Sequence, residues 1–262
     1  MTSPNTVAPT VDLTVTSADG TAIAVDRTGP GGGPSVVVVD GVLAHRPAAT
    51  RAIARVLALP VADDDGGHFR GPISCVRYDR RGRGESGFRP PYAVEREIED
   101  LSAVLDVAER PAALLGLSTG SFLALRAAAD LGERVTAVVV HRPRYDVAAA
   151  DPYAWRHLVA AVESCVAEGD RGSAVELFLD VAGIPPGYVA GMRRCPSWAD
   201  LEAHAPTIAH DGRIVTAAPA ALTLPQHVET VTGEGPAAIV TAVRRAVAAV
   251  APADPRPAVN GP

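Results

Sequence analysis

The order of apolar and amphipathic segments predicts an α/β fold built on a doubly wound, mainly parallel sheet. Two short continuous apolar runs, SVVVVDG (35–41) and RVTAVVVH (134–141), are typical of parallel strands that are covered on both faces. Amphipathic segments lie between them, of which VEREIEDLSAVLDVAER (94–110) is the clearest helix. Because strands alternate with helices, we expect the ligand site at the carboxyl ends of the strands.

Local turn signals and periodicity predict the remaining elements. VDLTVTSADGTAIAVDRTG (11–29) consists of two alternating segments around Asp19-Gly20, which is a strong hairpin signal. The PGGGP segment that follows is a turn and not a phosphate loop, since no Gly-Lys-Ser/Thr comes after it. Further helices are predicted at 46–60 and 236–250, and further strands at 73–79 and 227–233.

Residues 142–211 differ in character from the alternating segments. They contain helical patterns separated by DP, IPPG and CPSW, without a clear strand. An excursion of this kind after a central strand indicates a helical cap over the site. We therefore divide the chain into an α/β core (10–141 and 212–251) and a cap (142–211), with disordered tails at 1–9 and 252–262.

Composition excludes several classes of function. The chain has 262 residues, 47% of them apolar, which is enough for one sizeable core. A formal net charge of −6 argues against nucleic acid as a partner. No apolar run is long enough for a membrane span, and the first residues do not resemble a signal peptide. Three scattered cysteines in no metal spacing indicate a reduced, cytoplasmic protein, and we expect neither a metal nor a cofactor.

A serine between two glycines is the strongest chemical signal in the chain. LLGLSTGSFLAL (114–125) passes from an apolar run through Gly116-Leu117-Ser118-Thr119-Gly120 into an amphipathic pattern. A strand, a sharp turn and a helix in this order hold a serine hydroxyl out at the edge of a sheet. The N-terminus of the helix directs N–H groups and a positive dipole end at the same place.

We call the serine turn, residues 116–120, the elbow. Together with YDRRGRGESG (78–87) and VVVVDGVLAHR (36–46), it resembles the α/β-hydrolase superfamily, and most of all its small, cap-bearing bacterial members. The segment 173–211 is also similar to their cap. The resemblance implies the α/β-hydrolase fold, with Ser118 as the nucleophile and the N–H groups of Val42 and Thr119 as the oxyanion hole. It also shows a departure: Asp40-Gly41 stands where the family commonly has His-Gly or Gly-Gly.

The other members of the family's catalytic triad have no counterpart in the sequence. No histidine follows His227, and the loop after the last predicted strand reads Gly233-Glu234-Gly235-Pro236. The only segment available for the strand that carries the acid, GRIVTAAPAALTLPQ (212–226), contains no carboxylate after IVTA. We therefore predict a degenerate triad and a C-terminal region shortened by about one strand-helix unit.

Other polar and aromatic side chains are candidates to replace the missing base or to line the pocket. His141 ends the strand beside the elbow and is the best candidate base, with Asp146 available to orient it. A cap histidine or Glu234 is a less direct alternative. The side chains expected to contact substrate are Asp40, His45, Tyr145, Tyr153 and Trp155.

The sequence leaves three functions open. The first is a Ser118-dependent esterase, thioesterase or lactonase with a noncanonical base. The second is an enzyme that binds an apolar small molecule of secondary metabolism and uses the oxyanion hole for cyclisation, C–C bond formation, elimination or epoxide or carbonyl chemistry. The third is a noncatalytic binder of a small molecule or a partner subunit. We favour the second, and a homodimer is an assembly that the sequence leaves open.

Overall fold

The computed structural model describes residues 9–46, 50–61, 68–108, 111–141, 152–217, 224–232 and 235–250. The strands in these ranges are β1 (Thr10–Thr16), β2 (Ala22–Thr28), β3 (Ser35–Val39), β4 (Ser74–Tyr78), β5 (Ala112–Leu117), β6 (Val135–His141) and β7 (Val228–Val231). The helices are α1 (Arg51–Leu57), α2 (Val94–Val107), α3 (Gly120–Leu131), α4 (Pro152–Ala167), α5 (Arg171–Val181), α6 (Pro186–Met192), α7 (Trp198–His204), α8 (Pro206–Thr216) and α9 (Pro236–Val250).

The strands form one twisted sheet in the order β1-β2-β4-β3-β5-β6-β7. The predicted hairpin is confirmed, since β1 pairs antiparallel with β2, and β2 pairs antiparallel with β4. All other pairings are parallel. The strands and helices expected from the alternating pattern are therefore present, and the carboxyl ends of β3, β5 and β6 meet at one edge.

Helices cover both faces of the sheet, as the apolar strand patterns predict. Val37 and Val39 of β3 belong to an apolar cluster with α2 and α3, whereas Val36 and Val38 belong to a cluster with α1 and α9. Alternation along a strand sends successive side chains to opposite faces, so a strand buried on both sides reads as continuously apolar.

Helices α4 to α8 form a third apolar cluster, which includes the buried side chains of Trp155 and Trp198. Val42, Leu43 and Phe122 pack against this cluster from the carboxyl edge of the sheet. Helices α4 to α8 (152–216), which we call the helical segment, therefore lie over the strand ends where the site was expected. The predicted boundary at residue 211 lies inside α8.

The C-terminal half of the chain differs in part from the sequence prediction. The segment from residue 212 does not begin a strand, because Gly212–Thr216 continues α8. After the helical segment, the described residues contain β7, which pairs directly with β6, and then α9. Of the predicted tails at 1–9 and 252–262, all but residue 9 lie outside the described residues. Among the described helices, none has the length and apolar character that crossing a bilayer requires.

Candidate active site at the serine elbow

Ser118 occupies a strained turn between β5 and α3. Its φ is +51°, in the left-handed region that residues other than glycine rarely adopt. The two flanking glycines make the turn possible. A Cβ on Gly116 would lie 2.5 Å from the Cα of Ser121, and one on Gly120 would lie 2.7 Å from the carbonyl oxygen of Asp40. The predicted elbow is therefore built by close backbone packing, which excludes larger residues at both glycines.

The turn after β3 packs directly on this elbow. A Cβ on Gly41 would lie 2.9 Å from the Cβ of Ser118, so only glycine allows the approach. Leu43, two residues on, also has a positive φ of 56°. Two non-glycine residues with a strained backbone, Ser118 and Leu43, thus lie in turns that pack against each other, and such strain is common at functional sites. We call residues 41–43 the oxyanion turn, after the role that the family resemblance implies for Val42.

The two expected oxyanion donors differ in their hydrogen bonding. The N–H of Val42 donates to Oγ1 of Thr119 at 3.0 Å. In the described part of the chain, the Thr119 N–H donates no hydrogen bond. The Thr119 N–H is therefore available to a ligand, whereas the Val42 N–H is already engaged by a side chain of the elbow.

His141 lies beside the elbow, but its side chain is not paired with the serine. The Cα of His141 is opposite Leu117, and its carbonyl oxygen accepts the Ser118 N–H at 3.1 Å. Ala137 and Val139 pack in the α1/α9 layer, so alternation places the half-buried His141 side chain on that face of the sheet. Within the described residues, the Ser118 hydroxyl forms no hydrogen bond. Asp146 lies outside these residues.

A buried ionic cluster supports the elbow from α8. The carboxylate of Asp211, which is fully buried, accepts hydrogen bonds from the Thr119 hydroxyl at 2.6 Å, from Arg80 at 2.8 Å and from Arg83. Arg80 is also held by both carboxylate oxygens of Glu97 at 2.7 Å. Burial alone would raise the pKa of Asp211, but Arg80, Arg83 and the Thr119 hydroxyl more than offset it and lower the pKa. Asp211 is thus an ionised acceptor beneath the site.

The same arginines fix the backbone that leads into the oxyanion turn. Arg80 donates to the carbonyl oxygen of Asp40 at 3.2 Å, and Arg83 donates to that of Gly41. The Asp40 side chain itself is buried, and burial raises its pKa to about 6, although Arg83, Arg77 and Arg80 oppose the shift. Asp40 is therefore buried beside the ionic cluster, with only 4% of the residue exposed, and its carboxylate is not open to a ligand.

His45, the next predicted contact residue, lies at the junction between the oxyanion turn and the helical segment. Its ring stacks on His204 with centroids 5.0 Å apart, and its Nε2 lies 3.6 Å from Asp200. The ligand atoms of these three residues lie within 4.8 Å of one another, a spacing that suits a metal ion. However, Nε2 of His204 accepts the Gly84 N–H at 2.9 Å, and its Nδ1 lies 2.7 Å from the Asp200 carbonyl oxygen. Both nitrogens of His204 are engaged, so the group is a structural junction.

The predicted aromatic contacts do not converge. Trp155 is buried in the interior of the helical segment, whereas Tyr153 is 67% exposed and stacks with Arg156. Tyr145 and Glu234 lie outside the described residues. His210 stacks on Tyr92 and does not contact the serine.

His227 is distant from the elbow. Its carbonyl oxygen accepts the Val138 N–H at the start of β7. Val231, at the end of β7, pairs with His141. Four residues therefore separate His227 from the site edge, about 13 Å along the strand.

Asp211, Arg80 and Arg83 were not identified from the sequence as parts of the site. The arginines belong to YDRRGRGESG, where charged residues directly follow a buried strand, and this contrast is a signal for buried ion pairing. Asp211 gives no local signal, because it is one acidic residue in a helical pattern. Its partner Thr119 lies 92 residues away in the sequence.

The sheet order, the strained serine between β5 and α3, and the covering helices define a class: α/β proteins with a nucleophile elbow at the carboxyl edge. No protein-family model and no curated protein matches this chain. An α/β hydrolase from Sphaerobacter thermophilus is 36% identical, with 90% of this chain and 88% of that chain covered and a TM-score of 0.65. The chain belongs to the α/β-hydrolase superfamily.

More distant structures share the fold alone. The bottromycin epimerase BotH, solved in complex with bottromycin A2, is 23% identical, with 91% of this chain and 98% of that chain covered and a TM-score of 0.54. The enol-lactonase from Burkholderia xenovorans is 17% identical, with 83% and 80% covered and a TM-score of 0.55. These likenesses extend over most of each chain and carry no information about substrate.

Proposed function

We propose that this protein is an enzyme that polarises a carbonyl oxygen of an apolar small molecule at the Ser118 elbow, without forming an acyl-enzyme. One observation carries the proposal: within the described residues, the hydroxyl of Ser118 has no base, although the elbow that presents it is fully formed. A serine without its base and acid loses several orders of magnitude as a nucleophile. As a hydrogen-bond donor it needs neither partner.

The elbow supplies donors to an oxygen that gains negative charge. Among the described residues the Thr119 N–H forms no hydrogen bond, and Thr119 is the N-cap residue of the 12-residue helix α3, whose positive dipole end favours an anion. The Ser118 hydroxyl can donate to the same oxygen. Enolisation, elimination, cyclisation, C–C bond formation and epoxide or carbonyl chemistry all develop charge on an oxygen in the transition state, and preorganised donors stabilise that charge.

The surroundings of the elbow favour an apolar substrate. Leu117, Phe122, Val42 and Leu43 are all half-buried around it. An apolar molecule of secondary metabolism with one carbonyl group would fit such walls. The bottromycin epimerase shares the fold, so the fold itself is compatible with reactions other than hydrolysis. For that reaction class, His141 is the candidate base, at the strand end next to the elbow.

A fluorophosphonate serine probe tests the proposal. Between pH 6 and 9, we expect the wild-type protein to be labelled no more than Ser118→Ala. Ser164→Ala is the matched control, since Ser164 is an exposed serine on α4. Labelling of the wild type and the control that disappears in Ser118→Ala would contradict the proposal. It would support a Ser118-dependent esterase, thioesterase or lactonase, the alternative that the strained elbow geometry favours.

A binding measurement tests directly whether the elbow binds an oxyanion. The probe is 2,4-dinitro-1-naphtholate, hereafter naphtholate, a flat aromatic anion that stays ionised at neutral pH and whose oxygen resembles that of an enolate. In ¹⁵N-¹H spectra, we expect the Thr119 amide to shift on titration with naphtholate, and Ser118→Ala to weaken binding by roughly fivefold, the factor for one hydrogen bond of ~1 kcal/mol. A Thr119 amide that does not respond would exclude the elbow as an oxyanion site. Binding without turnover of any carbonyl compound would favour the noncatalytic binder.

A further inference from the structure

The hydroxyl of Thr119 links three parts of the molecule that are distant in sequence. It belongs to the elbow, it is hydrogen-bonded to Asp211 of α8 at 2.6 Å, and it accepts the N–H of Val42 in the oxyanion turn at 3.0 Å. Thr119 is itself buried, with 5% of its surface exposed. Water therefore competes little for either hydrogen bond.

The protons at this junction can be assigned from its chemistry. A threonine hydroxyl has one proton to donate and two lone pairs, whereas an ionised carboxylate can only accept. Arg80 and Arg83 keep Asp211 ionised, so the hydroxyl proton of Thr119 must be directed at Asp211. The lone pairs of Thr119 then face the opposite side, where the Val42 N–H donates to one of them.

This arrangement takes one donor away from the oxyanion hole. The fold would otherwise offer the N–H groups of both Val42 and Thr119 to a ligand oxygen. A ligand can use the Val42 N–H only if the Thr119 side chain turns away from it. Such a turn would break the hydrogen bond between Thr119 and Asp211.

We propose that Thr119 and Asp211 are positioning residues that form a lock on the oxyanion hole, in which the Val42 N–H is released only when the Thr119 side chain leaves Asp211. The inference rests on the proposed function, because it concerns the donors of that same site. The lock connects the helical segment to the elbow, since Asp211 is carried by α8. Displacement of α8 would withdraw the acceptor of the Thr119 hydroxyl and thereby free the turn.

Thr119→Val and Thr119→Ser separate this role from simple packing. Valine keeps the shape of threonine but cannot accept a hydrogen bond, whereas serine keeps the hydroxyl. In the absence of ligand, we expect hydrogen exchange of the Val42 amide to be roughly fivefold faster in Thr119→Val than in the wild type, the factor that a hydrogen bond of ~1 kcal/mol gives. Thr119→Ser should restore the wild-type rate. If Thr119→Val does not fold, Thr119→Ala provides the same comparison.

Naphtholate affinity supplies the readout that a structural role would not move. We expect Thr119→Val to bind naphtholate about threefold to tenfold more tightly than the wild type, because a second N–H becomes available. Asp211→Asn should change Val42 exchange in the same direction, although its side chain does not contact Val42.

Two results would overturn the lock: Val42 exchange that is equal in Thr119→Val and Thr119→Ser, or naphtholate binding that is weakened in Thr119→Val. Failure of the wild type to bind naphtholate would instead remove the proposed function. The exchange comparison, which needs no ligand, would still decide whether Thr119 holds Val42.

Discussion

Replacing Asp211 by asparagine removes the carboxylate that two buried arginines share. Arg80 keeps its paired contacts with Glu97 at 2.7 Å after the change. Arg83 has no other carboxylate partner among the described residues, and its remaining hydrogen bonds go to the carbonyl oxygens of Gly41 and Ala44. The consequence of Asp211→Asn therefore falls mainly on Arg83, which is 1% exposed.

The expected loss of stability follows from the burial of this pair. Removing one partner of a buried ion pair costs about 3–5 kcal/mol, because the other charge is left without compensation. The retained Arg80–Glu97 pair favours the low end, so Asp211→Asn should lower the free energy of unfolding by ~3 kcal/mol. Arg83→Met removes the stranded charge, so the double variant should be less destabilised than the sum of the singles by about 2 kcal/mol.

Urea denaturation followed by circular dichroism measures the four free energies of this cycle. A second cycle, Asp211→Asn with Arg134→Met, serves as the control, since Arg134 forms a surface pair with Asp106 and should be additive with Asp211. If the Asp211–Arg83 cycle is also additive within about 0.5 kcal/mol, the two side chains are not energetically coupled and the ionic cluster does not support the elbow as described.

Three other predictions concern two buried acids and one glycine near the site. Asp40→Asn should stabilise the protein increasingly between pH 4 and pH 7, by up to ~3 kcal/mol, because burial raises the folded-state pKa of Asp40 to about 6 and the wild type loses stability as that acid ionises. Asp211→Asn should behave oppositely and cost more at pH 7 than at pH 3, because the pKa of Asp211 is lowered on folding. Urea titrations across this range test both, and parallel pH profiles of the two variants would contradict the assignment. Gly120→Ala should destabilise the protein by about 1–3 kcal/mol, since the new Cβ would meet the carbonyl oxygens of Val39 and Asp40. Gly187→Ala on α6, where the added Cβ has open space, should be neutral or stabilising by up to ~1 kcal/mol. Urea denaturation of both glycine variants measures the difference, and equal losses at both glycines would refute the packing argument.

The order of the elements could be predicted because local patterns carry it. The buried strands β3, β5 and β6 are continuous apolar runs, and α9 was predicted from residue 236 to residue 250, its bounds in the structure. The segment after residue 211 shows where local reasoning fails. GRIVT contains three β-branched residues, yet it is helical, because Ile214 packs in the core and Asp211 is held by the arginine cluster. Tertiary contacts override a weak local preference there.

The elbow could be located from the sequence, since its glycines and serine are contiguous and their geometry is local. The absence of a histidine after residue 227 was also visible there, and with it the doubt about ordinary hydrolysis. What only the tertiary structure decided is the hydrogen bonding of the two N–H groups expected to form the oxyanion hole. The Val42 N–H is engaged because Asp211, 92 residues after Thr119, orients the threonine hydroxyl toward itself. A hydrogen bond of this kind depends on how a helix docks on a strand end, and no periodicity or short motif encodes that docking.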